Sequence, residues 1–194
     1  MQNYAKKYDI LIIGAGPAGT NAAISYKNLN PKLNVGLVDK SIFPRDKSCG
    51  DAIGPGVISA LKRFNNEYIL EGEPPVVSTT LYGPDNIGIQ NYIPEVKNKE
   101  DSIVYVIPRY DLDNRLLNLA KELGVDVYEG YSFVDFNTNE DRTLNVQIKN
   151  ENQNLEFVTK ILVGADGANS RVRKKLNYKP NSDWHKAIAI RAYI

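Results

Sequence analysis

The chain of 194 residues has a single cysteine, Cys49, and a single histidine, His185. That scarcity excludes an intrachain disulfide framework, and a metal site built from several Cys and His ligands has nothing to draw on. No metal is expected, and a lone thiol suits a reducing cytoplasm. An excess of charge is also missing: 24 Lys and Arg stand against 23 Asp and Glu, for a formal charge of +1. No overall field draws nucleic acid or an anionic membrane, so nucleic acid is not an expected partner. The first residues, MQNYAKKYDI, lack the apolar core of a secretory signal, and no apolar run approaches a membrane span. The expected location is the cytoplasm, with any association with a membrane peripheral.

What is present is ordinary for a globular chain, with 42% hydrophobic and 24% charged residues. A length prior of roughly 150 residues per domain leaves room for one main domain and the start of another.

The run Tyr8 to Ile13 (YDILII) is apolar and β-branched, as a buried parallel strand requires. GAGPAG follows, then an Ala-rich helix over 18–29 with Ala22, Ala23 and Tyr26 at helical spacing and Asn30-Pro31 as its stop. Asn34 to Val38 reads as a second buried strand, completing a βαβ unit. Residues 42–56 read as a long loop and 57–64 as a short helix. Residues 76–107 alternate weakly around the turn Gly83-Pro84-Asp85-Asn86, which predicts an antiparallel excursion. Residues 111–123 form an amphipathic helix, with Leu112, Leu116, Leu119 and Leu123 on one side and Gly124 as its stop. A strand over 125–128 comes next. Residues 131–159 then predict a three-stranded antiparallel meander packed on the parallel sheet, and 160–163 (KILV) a further short buried strand. The alternating segment 187–194 ends without a partner, which leads us to expect an amino-terminal piece of a longer chain.

Gly14, Gly16 and Gly19 form GxGxxG between a strand and a helix. The first glycine permits the tight turn, the second keeps a Cβ away from a diphosphate, and the third lets helix and strand approach. Pro17 and Ala18 complete the turn, whose backbone N–H groups and helix dipole face the phosphates. Asp39, at the end of the second strand and followed by Lys40, lies where a carboxylate accepts ribose hydroxyls and repels a 2′-phosphate. These residues predict a dinucleotide site and leave NAD and FAD both open.

A second motif, GADGANSRVR over 164–173, follows KILV. Taken alone, it is compatible with an Asp-Gly turn in which Asn169 or Ser170 caps a helix. Together with GAGPAG it resembles the FAD signatures of the aromatic-hydroxylase-like flavoproteins, and within them the geranylgeranyl reductase family. The resemblance implies an α/β fold: a Rossmann-type FAD-binding domain over 1–79 and 102–185 with a parallel sheet and antiparallel meander. It implies the beginning of an antiparallel substrate domain in strands over 80–101 and 186–194. It also implies FAD as cofactor, with Asp166 and Gly167 beside it.

The loop RDKSCGDAIGPGV over 45–57 is similar to a K-x-C-G stretch of that family, which implies Cys49 and Gly50 near the flavin or substrate, with Cys49 the candidate catalytic residue. The sequence departs from the family in having Asp51 where a glycine often follows. The rival for Cys49 is a small buried loop residue. Arg109 matches an arginine that reaches toward the cofactor in these proteins; its rival role is a surface pair with Asp111 or Asp113. Arg171, Arg173, Lys174 and Lys175 read as a solvated helix face, and Trp184 and His185 as packing or functional residues alike.

The resemblance implies an oxidoreductase acting on a small-molecule or lipid substrate, with NAD(P)H or another reductant as electron donor. The reaction it suggests is reduction of isoprenoid C=C bonds. A monooxygenase or halogenase is the neighbouring alternative; an NAD-dependent dehydrogenase and a non-catalytic nucleotide-binding piece are the distant ones.

Overall fold

The computed structural model describes residues 5–92, 104–178, 184 and 187–191. Contacts divide the chain into two units, Met1–Lys47 with Tyr110–Ile190, and Ser48–Arg109 with Arg191–Ile194. The segments 93–101, 186 and 192–194 of the expected substrate-domain strands, and His185, lie outside the described residues.

The first unit is built on a six-stranded sheet. β1 (Lys6–Ile13) is followed by α1 (Pro17–Leu29) and β2 (Val35–Asp39). α1 starts one residue earlier than expected because Pro17, with its fixed φ and no N–H, suits a first helical position. Its charged Lys27 lies on the buried side, where the ammonium donates to the carbonyls of Pro31 (2.8 Å) and Leu33 (3.1 Å) and closes the turn into β2. Further on come α3 (Arg109–Glu122), whose first residue belongs to the second unit, then β7 (Asp126–Glu129), β8 (Ser132–Thr138), β9 (Leu144–Lys149), β10 (Asn154–Gly164) and the short α4 (Arg171–Lys175). The strand order is β7-β2-β1-β10-β9-β8. β7, β2, β1 and β10 are mutually parallel, whereas β9 runs antiparallel to both of its neighbours, β10 and β8.

One expectation is corrected here. The last strand of the meander and the buried strand KILV are a single element, β10, so the meander extends the parallel sheet edge to edge and does not pack on its face. Its residues Phe157, Val158 and Thr159 pair on both sides, with β9 and β1. Its sequence shows no turn residue between Phe157 and Val163 that could have broken it.

Leu11, Ile13, Val38, Phe133, Val146, Ile148, Phe157 and Val172 form one apolar cluster with Tyr8. The Tyr8 hydroxyl meets that of Tyr128 at 2.7 Å, and its ring lies edge-on to Phe157. Burial is the main cause that pushes the Tyr8 phenol above its ordinary range, with the hydrogen bond to Tyr128 next.

The second unit holds the pair β3 (Ala52–Ile53) and β6 (Tyr105–Val106), the helix α2 (Pro55–Lys62) and a 3-10 turn over Glu67–Leu70. Ile53, Ile58, Leu61, Ile69, Leu70 and Ile107 are its buried apolar side chains among the described residues, joined by Tyr105. The expected excursion is a hairpin of β4 (Ser78–Tyr82) and β5 (Gly88–Tyr92), turning at Gly83 to Ile87. Among the described residues, no helix is long and apolar enough to cross a membrane.

Candidate functional site

The carboxyl ends of β1, β2 and β10 converge. The Gly14 amide donates to the Val38 carbonyl and the Ala165 amide to the Ile13 carbonyl, each at 2.7 Å. Gly14 has φ +105°, and a Cβ there would lie 2.3 Å from the Ala165 carbonyl oxygen. The two motifs singled out in the sequence are therefore in van der Waals contact, and the contact requires glycine. A Cβ on Gly19 would fall 1.8 Å from the Gly14 oxygen, so the third glycine is fixed by the closeness of helix and turn.

The opening turn of α1 leaves donors unspent. Amides in the first turn of a helix have no intrahelical acceptor, Pro17 has no N–H, and Gly16 offers no capping side chain. The amides of Gly16, Ala18 and Gly19 are thus directed to whatever lies beyond the turn, whereas that of Thr20 already bonds the Gly16 carbonyl at 3.0 Å. With no acidic residue in the first turn, the positive helix end is not neutralised locally.

The Ala15 amide does not belong to that donor set: it bonds Oδ2 of Asp39 at 2.7 Å, while Oδ1 accepts the Ser41 amide at 2.8 Å. Asp39 thus ties the end of β2 to the glycine turn. Each carboxylate oxygen retains a second lone pair, so the group is still an acceptor for a hydroxyl. A cleft of about 340 Å³ opens here, lined by Gly14, Gly16, Asp39, Lys40, the segment Arg45–Lys47, and Asp166 with Gly167.

At the GADG motif the Asp166 carboxylate turns to α4. Oδ1 accepts the Ser170 hydroxyl, and Oδ2 accepts the amides of Arg171 at 2.6 Å and Val172 at 3.3 Å. Ser170 Oγ in turn accepts the Arg173 amide at 3.0 Å. Of the two caps weighed from sequence, Ser170 is the one used, reinforced by Asp166. The basic cluster expected as a solvated face is engaged in part. Arg171 donates to the Phe133 carbonyl, Arg173 to the Ala168 carbonyl, and Lys175 pairs with Asp135 at 2.6 Å.

Sequence reasoning passed over Arg45 as a cleft residue and Asp113 as its partner. Nη1 of Arg45 lies 2.8 Å from Oδ2 of Asp113, whose side chain is 0% exposed. The guanidinium also stacks 4.7 Å above the Phe43 ring. The signal was an acid set among the buried Leu112, Leu116 and Leu117 of α3, a position where a carboxylate needs a partner.

Cys49, Gly50 and Arg109 belong to the second unit. Cys49 is half-buried and Gly50 is exposed. The departure at Asp51 has a physical account: its φ is +58°, in the left-handed region where glycine, Asn and Asp are tolerated best. Its carbonyl accepts the Ile107 amide at 2.9 Å, and its carboxylate is held by Arg191 Nη1 at 3.0 Å.

Glycine turn, unspent amides, an acceptor at the ribose position and the Arg45 side chain in the cleft wall together fit a dinucleotide bearing a diphosphate. Fold and site define an α/β dinucleotide-binding protein of the flavoprotein kind. The profile of the FAD binding domain family matches residues 7–186, and the chain belongs to that family, whose cofactor is FAD. The chain is 27% identical over 190 residues to the menaquinone reductase of Mycolicibacterium smegmatis, covering 96% of itself and 44% of that protein. It is 28% identical over 172 residues to the geranylgeranyl diphosphate reductase of Rhodobacter capsulatus, covering 88% of itself and 40% of that protein. Among solved structures, a myxobacterial chondrochloren halogenase that is FAD-dependent shares the fold with a TM-score of 0.71 at 23% identity, over 86% of this chain and 38% of the other. The chain thus spans less than half the length of these relatives.

Proposed function

We propose that this chain forms the FAD-holding part of an oxidoreductase that reduces C=C bonds of an isoprenoid chain. The observation that carries the reading is the convergence of the GxGxxG turn, Asp39 and the GADG loop on one cleft. FAD supplies the hydride chemistry, and the protein supplies orientation and electrostatics. The amides of Gly16, Ala18 and Gly19 receive the diphosphate, and Asp39 accepts from the ribose. The backbone of Asp166 and Gly167 forms the wall next to the glycine turn, with the Asp166 carboxylate setting the loop's shape from behind.

The choice of reaction rests on the 45–57 loop, similar to the K-x-C-G stretch of geranylgeranyl reductases, and on the reductases among its relatives. Within this reading the substrate is a small molecule or lipid, NAD(P)H or another reductant supplies electrons, and peripheral contact with a membrane brings enzyme and lipid together. A second reading, oxygen activation for hydroxylation or halogenation, is favoured by the fold shared with the halogenase.

Product analysis separates the two. The intact protein is reduced chemically and mixed anaerobically with geranylgeranyl diphosphate or a menaquinone. Flavin reoxidation with a product gaining two hydrogens supports the reductase. Reoxidation that requires oxygen, with an oxygenated or halogenated product, supports the rival. Cys49→Ser and Arg109→Gln test the roles carried over from the resemblance, each by substrate-dependent reoxidation rate; no change in either removes that role.

A further inference from the structure

We propose that Asp113 is a positioning residue for the cofactor: its buried carboxylate holds the Arg45 guanidinium in the cleft wall, so that the rest of the fork donates to the diphosphate. The inference rests on the reading that FAD occupies this cleft.

Four cations line the cleft; Lys40, Lys47 and Arg171 are exposed, and of these Arg171 is turned to the Phe133 carbonyl. Arg45 is different, because its side chain is 17% exposed and fixed from two sides. Asp113 approaches Nη1 at 2.8 Å, and the Phe43 ring lies beneath the guanidinium at 4.7 Å. The ring is itself anchored, since the Phe43 amide donates to Glu129 at 2.7 Å and Glu129 is paired with Lys121. The whole segment after β2 is thereby tied to α3 and β7, and Arg45 is its inward-facing member.

Stability alone does not account for this arrangement. A buried ion pair contributes little net stability, and apolar residues of equal volume serve a core as well or better. What a carboxylate adds is direction. It orients a permanently charged, planar group that would otherwise swing to water, and leaves the remaining donors of the fork in a fixed plane. Nη1 is the buried end of the fork and is turned to Asp113 at 2.8 Å, so the donors left to the cleft are those on Nη2 and Nε. A guanidinium with unspent donors in a cleft wall is matched to phosphate oxygens, which accept from such a fork bidentately.

The test is calorimetric titration of the purified, flavin-free protein with FAD, ADP and adenosine. The variants are Asp113→Asn, Arg45→Gln, the double variant, and the volume-matched pair Arg45→Met with Asp113→Leu. A further variant, Gly16→Val, blocks the cleft itself. Asp113→Asn and Arg45→Gln should each weaken FAD and ADP by about tenfold, and the double variant should be no weaker than the worse single. Adenosine, which has no diphosphate, should bind all of them within about twofold of the parent. If Asp113→Asn does not fold, the apolar pair keeps the question open to measurement: it should retain the unfolding midpoint and adenosine binding while losing ADP. A purely structural Asp113 would lower the unfolding midpoint and leave the ratio of ADP to adenosine affinity unchanged. That outcome, with Gly16→Val still abolishing FAD binding, overturns the proposal and spares the cleft. FAD affinity unmoved by Gly16→Val overturns the cleft reading instead.

Discussion

The Asp39 carboxylate and the Ala15 amide meet at 2.7 Å, across the gap between the end of β2 and the turn that follows β1. The acid expected to grip a sugar therefore also shapes the turn that receives the phosphates. Replacing Asp39 by Ala removes the acceptor of two amides, those of Ala15 and Ser41. The cofactor-free protein should lose about 1–3 kcal/mol by chemical denaturation, and flavin fluorescence titration should show FAD binding weakened about tenfold or more. Asp39→Asn keeps one acceptor oxygen and should fall between. Unchanged FAD affinity in both variants would remove Asp39 from the site.

Gly14→Ala places a methyl group 2.3 Å from the Ala165 carbonyl oxygen at a φ of +105°. Strain of this kind costs roughly 1–3 kcal/mol before any clash is relieved. The comparison is Gly56→Ala on α2, where a Cβ meets nothing within 4 Å. There a gain of up to about 0.5–1 kcal/mol is expected from helix propensity. Equal effects of the two substitutions in urea denaturation would mean that the two motifs do not touch.

Asp166→Ala should act first on α4. The carboxylate accepts Ser170 Oγ and the amides of Arg171 and Val172, so its loss should cost about 1–2 kcal/mol, the scale of a helix cap. Ser170→Ala removes the acceptor of one amide, that of Arg173, and should cost less. Hydrogen exchange of the 171–175 amides is the direct measurement. Unchanged protection in Asp166→Ala would show that the carboxylate does not hold the helix.

The pH response has a defined sign at Asp9. The ion pair with Lys160 comes first, and the hydrogen bond from the Asn34 amide second, in holding its carboxyl below the ordinary range. A carboxyl depressed on folding stabilises above its unfolded value of about 3.9 and loses that contribution as pH falls through the folded value. Asp9→Asn should therefore be less stable than the parent at neutral pH, by a small amount because the Lys160 side chain is 71% exposed. The gap should close on acidification below about pH 4. A gap that widened in acid would reverse the assignment.

The parts of the molecule legible in the sequence are those written in local pattern. YDILII, GAGPAG and the Ala-rich run after it announce strand, turn and helix because each obeys its own period and its own glycine chemistry. Gly83-Pro84-Asp85-Asn86 announces a hairpin in the same way. Features that depend on partners remote in the chain were not legible. Nothing near Asp113 names Arg45, and nothing near Asp9 names Lys160. The role of Asp166 was half visible: a cap was foreseen at Asn169 or Ser170, but the turning of the carboxylate toward α4 depends on the loop path between them. Asp51 is the opposite case, a departure from a family pattern explained by one backbone angle.

The undivided strand β10 bears on how the chain assembles. Phe157 pairs with its near neighbour Val146 on one side and with the remote Lys6 on the other. Closing the first pairing needs only a short turn, whereas the second must recruit the opposite end of the polypeptide, a slower event. The hairpin of β9 and β10 is thus the natural template on which the amino-terminal strand lands, and the nucleotide cleft is completed only at that late step. Pulse-labelled hydrogen exchange during refolding would show amides of 144–149 protected ahead of those of 8–13, and the reverse order would refute the sequence of events.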